Sequence, residues 1–302
     1  MSTLAILLLI LSACTHAGWN LLSKRTAPTV SFYLLANTAG ALFLLPTLIY
    51  YPTLSHTFTS AIWILLFATG FCQAFYYTTL GQAYQRGDLS VAYPLARSLP
   101  ALLVIFFMFL LGDSTQIGSL CIWGILLLLV GCFVLPMRQF RDFRIDNYLN
   151  LSSFFALLAA IGTAGYSLID DQALRLLRNN SDTHLATWQI TLLYALFEAG
   201  TSSIWLAIFA LPFQKCRTQI SHLLNTQKKA IFMTGAGIYV TYGLVLISMA
   251  FVNNVSYVVG FRQLSIPIGA ILGVVILKEP GYIPKFVGIA ILLAGLILIA
   301  LG

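Results

Sequence analysis

The sequence predicts an all-α integral membrane protein of ten transmembrane helices, arranged as two inverted five-helix repeats. Three observations predict it. First, 59% of the 302 residues are hydrophobic and only 8% charged, with a mean hydropathy of +0.90; soluble domains carry about 25% charged residues. Second, apolar runs of helix-spanning length recur along the whole chain, at 4–23, 31–51, 61–84, 90–111, 116–136, 150–170, 187–210, 230–250, 255–277 and 283–301. About 20 residues cross a bilayer core as a helix. No run alternates with the period of a barrel strand, and lipid forces backbone groups to pair internally. Third, unusual residues repeat at a fixed shift, as set out below.

The first run contains Leu11-Ser12-Ala13-Cys14, which looks like a lipoprotein cleavage site. A secretory signal needs a basic segment ahead of its apolar core, and Met1-Ser2-Thr3 has none. Lys24-Arg25 follows the run instead and holds that end in the cytoplasm. Residues 4–23 are therefore read as a span, with Ser12, His16, Trp19, Asn20 and Ser23 on one face. In the third run Gln73, Tyr77 and Tyr84 share a face. The fourth carries Arg97 between Pro94 and Pro100, which are expected to interrupt it. The fifth has Gly124 and Gly131, and the tenth Gly288, Ala290, Ala294 and Gly295, small residues that allow close helix packing. In the seventh, Thr191, Tyr194, Glu198, Thr201 and Trp205 form one face, and Glu198 reads as the only acid deep in a helix. The ninth places Arg262, Ser265, Gly269 and Gly273 on one face, with Pro267 expected to interrupt the helix.

Charge sets topology. Of 16 Lys and Arg, twelve fall in loops after odd-numbered spans and two, Arg175 and Arg178, in an even-numbered loop. The positive-inside rule then puts both termini outside the cytoplasm. The net charge of +7 is no nucleic-acid signal, because no basic stripe with interleaved aromatics exists. Five cysteines (Cys14, Cys72, Cys121, Cys132, Cys216) have no metal or redox spacing. Four histidines lie on four separate segments, and no catalytic set or phosphate-binding loop is present. No enzyme activity, cofactor or metal is expected. The sequence carries no signal for oligomeric state.

A shift of 165 residues carries Thr69-Gly70 onto Thr234-Gly235, Tyr77 onto Tyr242, Arg97 onto Arg262 and Leu99 onto Leu264. At a different offset, Gly18-Trp19-Asn20 matches Gly165-Tyr166-Ser167. The halves are expected to divide near residue 145, in the basic segment "RQFRDFRID", as 1–145 and 146–302. Five spans per half is odd, so the halves must have opposite orientations, a common plan for secondary transporters.

The segments "HAGWNLLSKR" (16–25), "YPLARSLP" (93–100), "FRQLSIPIGAILG" (261–273) and "LKEP" (277–280) are similar to those of the drug/metabolite transporter superfamily, EamA-like branch. Glu279 fits the family's motif at the end of the ninth helix, whereas the first half has Gly112-Asp113. The resemblance implies export or exchange of a small metabolite by a multi-pass protein of a bacterial inner (cytoplasmic) membrane. Many members are thought to have cytoplasmic termini; the loop charges of this chain predict the reverse.

A charged side chain at mid-helix costs about 2.5–3.5 kcal/mol on insertion scales, so it needs a partner or a cavity. Arg97 and Arg262 are expected to approach one central cavity from opposite sides. Two readings stay open: they bind an anionic group by forked hydrogen bonds, or they are structural. Glu198 is either a proton-coupling group, the fixed partner of an arginine, or a polar packing residue. His16 either titrates or packs; Trp19 either stacks on substrate or anchors at the interface; Tyr77 and Tyr242, with Gln73 and Asn20, are candidate cavity residues. The expected function is a secondary transporter of a small organic anion or zwitterion by alternating access, with protons as the candidate coupling ion. The alternatives are a flippase for a lipid-linked sugar or other lipid, and a non-transport membrane protein.

Overall fold

A computed structural model describes residues 2–23, 29–50, 58–86, 89–110, 118–135, 137–142, 150–179, 186–276 and 280–301. Among them every regular element is helical. The α-helices are α1 (Thr3–Ser23), α2 (Val30–Leu44), α3 (Pro46–Tyr50), α4 (Ser60–Arg86), α5 (Leu89–Leu110), α6 (Ser119–Val134), α7 (Leu151–Arg178), α8 (Thr187–Ala210), α9 (Gln214–Thr226), α10 (Lys228–Ser248), α11 (Val255–Phe261), α12 (Ser265–Ile276) and α13 (Ile283–Leu301). Among the described residues, seven stretches are long and apolar enough to cross a membrane: Val30–Leu48, Ser60–Ala83, Leu151–Arg178, Thr187–Ala210, Lys228–Phe251, Val255–Leu272 and Ile283–Leu301. Shorter apolar helices, Thr3–Trp19, Ala96–Leu110 and Ser119–Val134, occupy the remaining predicted runs. Large apolar side chains such as Leu7, Ile64, Phe109, Trp123, Ile283 and Leu301 point outward, as a lipid-facing surface requires.

α4 packs on α7 and α8, α10 on α1 and α2, and α6 on α13. The α6–α13 seam is set by glycine. A Cβ on Gly124 would lie 2.6 Å from the Gly295 carbonyl, and one on Gly131 would lie 3.0 Å from the Gly288 carbonyl. Backbones touch there, so van der Waals contact holds the pair in an apolar solvent.

Four expectations change. The sixth predicted run does not stop at 170: α7 continues to Arg178, so Arg175 and Arg178 are helical rather than loop residues. Asp171 and Arg175 pair one turn apart at 2.9 Å, and Arg178 donates to the Leu246 carbonyl, which extends the helix past its apolar stretch. Glu198 is therefore not the sole acid deep in a helix, because Asp170 is fully buried within α7. Pro94 and Pro100 do not interrupt α5, which runs unbroken through both; neighbouring helices tolerate the lost bonds. The ninth run does break. A 3-10 turn, Arg262–Leu264, joins α11 to α12, because Pro267 has no N–H for the Gln263 carbonyl. Cys216, expected in a loop, sits in the surface helix α9, where its carbonyl accepts from Ser31. The division near 145, Glu279 and Gly112-Asp113 lie outside the described residues.

Candidate functional site

The 3-10 turn carries Arg262, and α5 carries Arg97. Both line one interior cavity with His16, Trp19, Gln73, Tyr77 and Tyr242. Its open interior is about 40 Å³, room for a few waters rather than a metabolite. The Asn20 side chain and that of Tyr84 lie outside the described residues. Five further residues complete the wall: Tyr76, Tyr166, Ile238, Tyr239 and Thr241.

One hydroxyl ties the Arg97 guanidinium to the backbone of Arg262. Arg97 Nη2 donates to Ser265 Oγ at 2.7 Å, and Ser265 Oγ donates to the Arg262 carbonyl at 3.1 Å. Arg262 lies 5.3 Å from the Tyr242 ring centre and 5.9 Å from that of Tyr166, in the range of a cation–π contact. Its Nη2 donates to Tyr166 Oη at 3.3 Å. Neither charge is neutralised: among the described residues the one ion pair is Asp171–Arg175. Arg97 Nε and Arg262 Nη1 are buried without an acceptor. His16 and Trp19 meet edge to face at 4.9 Å. Trp19 fits because its neighbour on α10 is Gly237, where a Cβ would lie 2.8 Å from the Trp19 Cβ and 3.2 Å from the indole Cγ.

Behind this wall lies a second polar cluster. Asp170 accepts from Thr69 Oγ1 at 2.6 Å, from Tyr194 Oη at 2.7 Å, and from Tyr242 Oη. Glu198, halfway along α8, accepts from Gln73 Nε2 and touches the Asp170 carboxyl. Both acids are fully buried. Glu198 Oε2 has no donor, and Glu198 forms no ion pair with either arginine. Gln73 and Tyr242 each face the cavity and bond a carboxyl, so they connect the clusters.

The sequence analysis did not assign Asp170, Tyr166, Tyr76, Tyr239, Thr241 or Thr69 to the site. Tyr166 and Asp170 were detectable by their four-residue spacing on α7, and Tyr166 also occupies the repeat position of Trp19. Ending the run at 170 placed the acid at a membrane border and hid it.

No family model matches the chain, and no curated protein matches it. A solved structure described as "Crystal structure of protein" is similar over 100% of this chain and 98% of its own, with 17% identity and a TM-score of 0.64. That likeness concerns the fold.

Proposed function

We propose that the protein is a secondary transporter of a small organic anion or zwitterion, working by alternating access in a bacterial inner membrane. One observation carries the reading. Two arginines line a single interior cavity with no carboxylate at ion-pair distance among the described residues. Buried charge without a partner is costly, and a carboxylate or phosphate ligand would neutralise it in a forked geometry. Six aromatic side chains on the same wall (Trp19, Tyr76, Tyr77, Tyr166, Tyr239, Tyr242) supply an apolar frame for the organic part.

The chain comprises ten spans in two inverted repeats, in the manner of the EamA-like transporters it resembles, with both termini outside the cytoplasm. Paired contacts support the repeat. Gly70 lies against Thr201, and Gly235 lies against Ala36. The 165-residue shift that carries Gly70 onto Gly235 also carries Ala36 onto Thr201.

Thermal melting of the purified chain against a panel of carboxylates and organic phosphates tests the reading. At least one anion should stabilise the wild type, and Arg97→Gln and Arg262→Gln should abolish that response while remaining folded. Lys at either position should restore it in part, because a point charge cannot reproduce the fork. Stabilisation that survives in both Gln variants would make the arginines structural.

A further inference from the structure

We infer that Asp170 and Glu198 together form a proton-binding site behind the arginine cavity, loaded when an anion neutralises Arg262, so that anion and proton move together. The inference rests on the transport reading for its second half and on geometry alone for its first.

Two carboxyls in contact inside a protein cannot both stay charged at low cost, and one proton shared between them removes the conflict. Here both are fully buried and touch. Asp170 accepts from three hydroxyls, the arrangement expected of the member that keeps its charge, and has acceptor capacity left for a protonated Glu198. Glu198 is the complement. One oxygen accepts from Gln73, and the other, Oε2, is buried without a donor. An acceptor with no donor at full burial is where a proton belongs. On loading, two carboxylates and a proton become one carboxyl and one carboxylate, so the charge of the pair falls from −2 to −1.

The groups facing the pair are few. α4 contributes Thr69, Cys72 and Gln73; α8 contributes Tyr194 beside Glu198; α10 contributes Tyr239 and Tyr242. Among the described residues, the cation acting on Glu198 is Arg262, at the Tyr242 ring. His16 and Arg97 stand on the cavity side. An empty site leaves Arg262 positive and favours two carboxylates. A bound anion cancels that field across a medium of low dielectric, and the pair takes up a proton. Tyr242, with its ring at Arg262 and its hydroxyl on Asp170, spans the two events.

Infrared difference spectroscopy of the full chain in nanodiscs, between alkaline and acidic buffer, reads the protonated carboxyl directly and needs no substrate. A carboxylic-acid carbonyl band should appear with acid in the wild type and vanish in Glu198→Gln and in Asp170→Asn. In Arg262→Gln, which removes the charge as an anion would mask it, the band should persist to a proton concentration about tenfold lower. Glu198→Gln is near isosteric and decides the matter should Asp170→Asn fail to fold. A band retained in Glu198→Gln overturns the site. A band that instead responds to exchange of sodium for choline makes it a cation site and overturns the proton. An Arg262→Gln titration matching wild type overturns the linkage. Since no anion is present, a failed transport reading leaves the proton result standing, and a missing band leaves the anion reading standing.

Discussion

Tyr77 and Tyr242 line the same cavity from α4 and α10, and each is 7% exposed. Their surroundings differ. Tyr77 packs its ring against Tyr33 at 4.8 Å and Tyr76 at 4.9 Å. Tyr242 sits under Arg262 and donates to Asp170, with Glu198 adjoining. The shift that carries Tyr77 onto Tyr242 carries Tyr33 onto Glu198. So one half of the chain meets its cavity tyrosine with another aromatic ring, and the other half meets it with buried acid. Each half supplies an arginine and a tyrosine; the acids come from the second alone. The cavity lining thus draws on both halves, while the buried acids behind its wall belong to one.

The largest test of this contrast removes the acid that the hydroxyls serve. Asp170→Ala leaves Thr69, Tyr194 and Tyr242 without their acceptor, at about 1–3 kcal/mol for a stranded buried group. The losses are coupled, and a total above about 3 kcal/mol is expected. Unfolding by detergent titration measures it. A loss below that would mean the hydroxyls find other acceptors and the cluster is not organised by Asp170.

Next comes the pair of tyrosines. Tyr242→Phe deletes a hydrogen bond to a charged group and should cost about 1.5–3 kcal/mol. Tyr77→Phe keeps the ring contacts that define its side of the cavity and should cost under about 1 kcal/mol. Equal losses in the same unfolding assay would erase the asymmetry between the halves.

Much of this was legible before any coordinates. Arg97, Arg262, Tyr77 and Tyr242 were singled out because charges and repeated residues in apolar runs are rare. The glycines of α6 and α13 were legible as packing residues. What was not legible has physical causes. α7 is longer than a membrane crossing needs, and ion pairing at Asp171–Arg175 carries it past the apolar stretch. A window judged by hydropathy ends where Asp170 begins, although side chains from α4, α8 and α10 make that position interior. The continuous α5 was equally hidden, since each proline removes one backbone hydrogen bond and the packing around it decides whether the helix still continues.

A smaller effect separates the two related glycines. A Cβ on Gly70 would meet the Thr201 hydroxyl at 2.6 Å and the Thr201 backbone at 2.8 Å, whereas on Gly235 it would run closer still into the Ala36 backbone carbonyl. Overpacking typically costs about 1–3 kcal/mol, and the closer approach to backbone is the harder to relieve. Gly235→Ala should therefore melt below Gly70→Ala, by a difference of about 1 kcal/mol. The reverse order would mean that the α4–α8 contact is the stiffer of the two.

The smallest stability change is expected where the functional change is large. Glu198→Gln keeps the shape of the side chain. Its carbonyl oxygen can still accept from Gln73, and its amide can donate to Asp170, as the protonated acid would. In acidic buffer, where the pair holds one proton, the variant replaces a carboxyl by its neutral equivalent and leaves the charge unchanged. The cost should then stay below about 1 kcal/mol, while Asp170→Asn costs more, because an amide nitrogen cannot accept from the hydroxyls around it. Transport driven by a proton gradient in proteoliposomes should fall sharply in Glu198→Gln, with counterflow of the same anion retained. Should Glu198→Gln in acidic buffer instead destabilise the chain as much as Asp170→Ala, the pair carries two charges even there, and the difference between the halves lies in structure rather than in coupling.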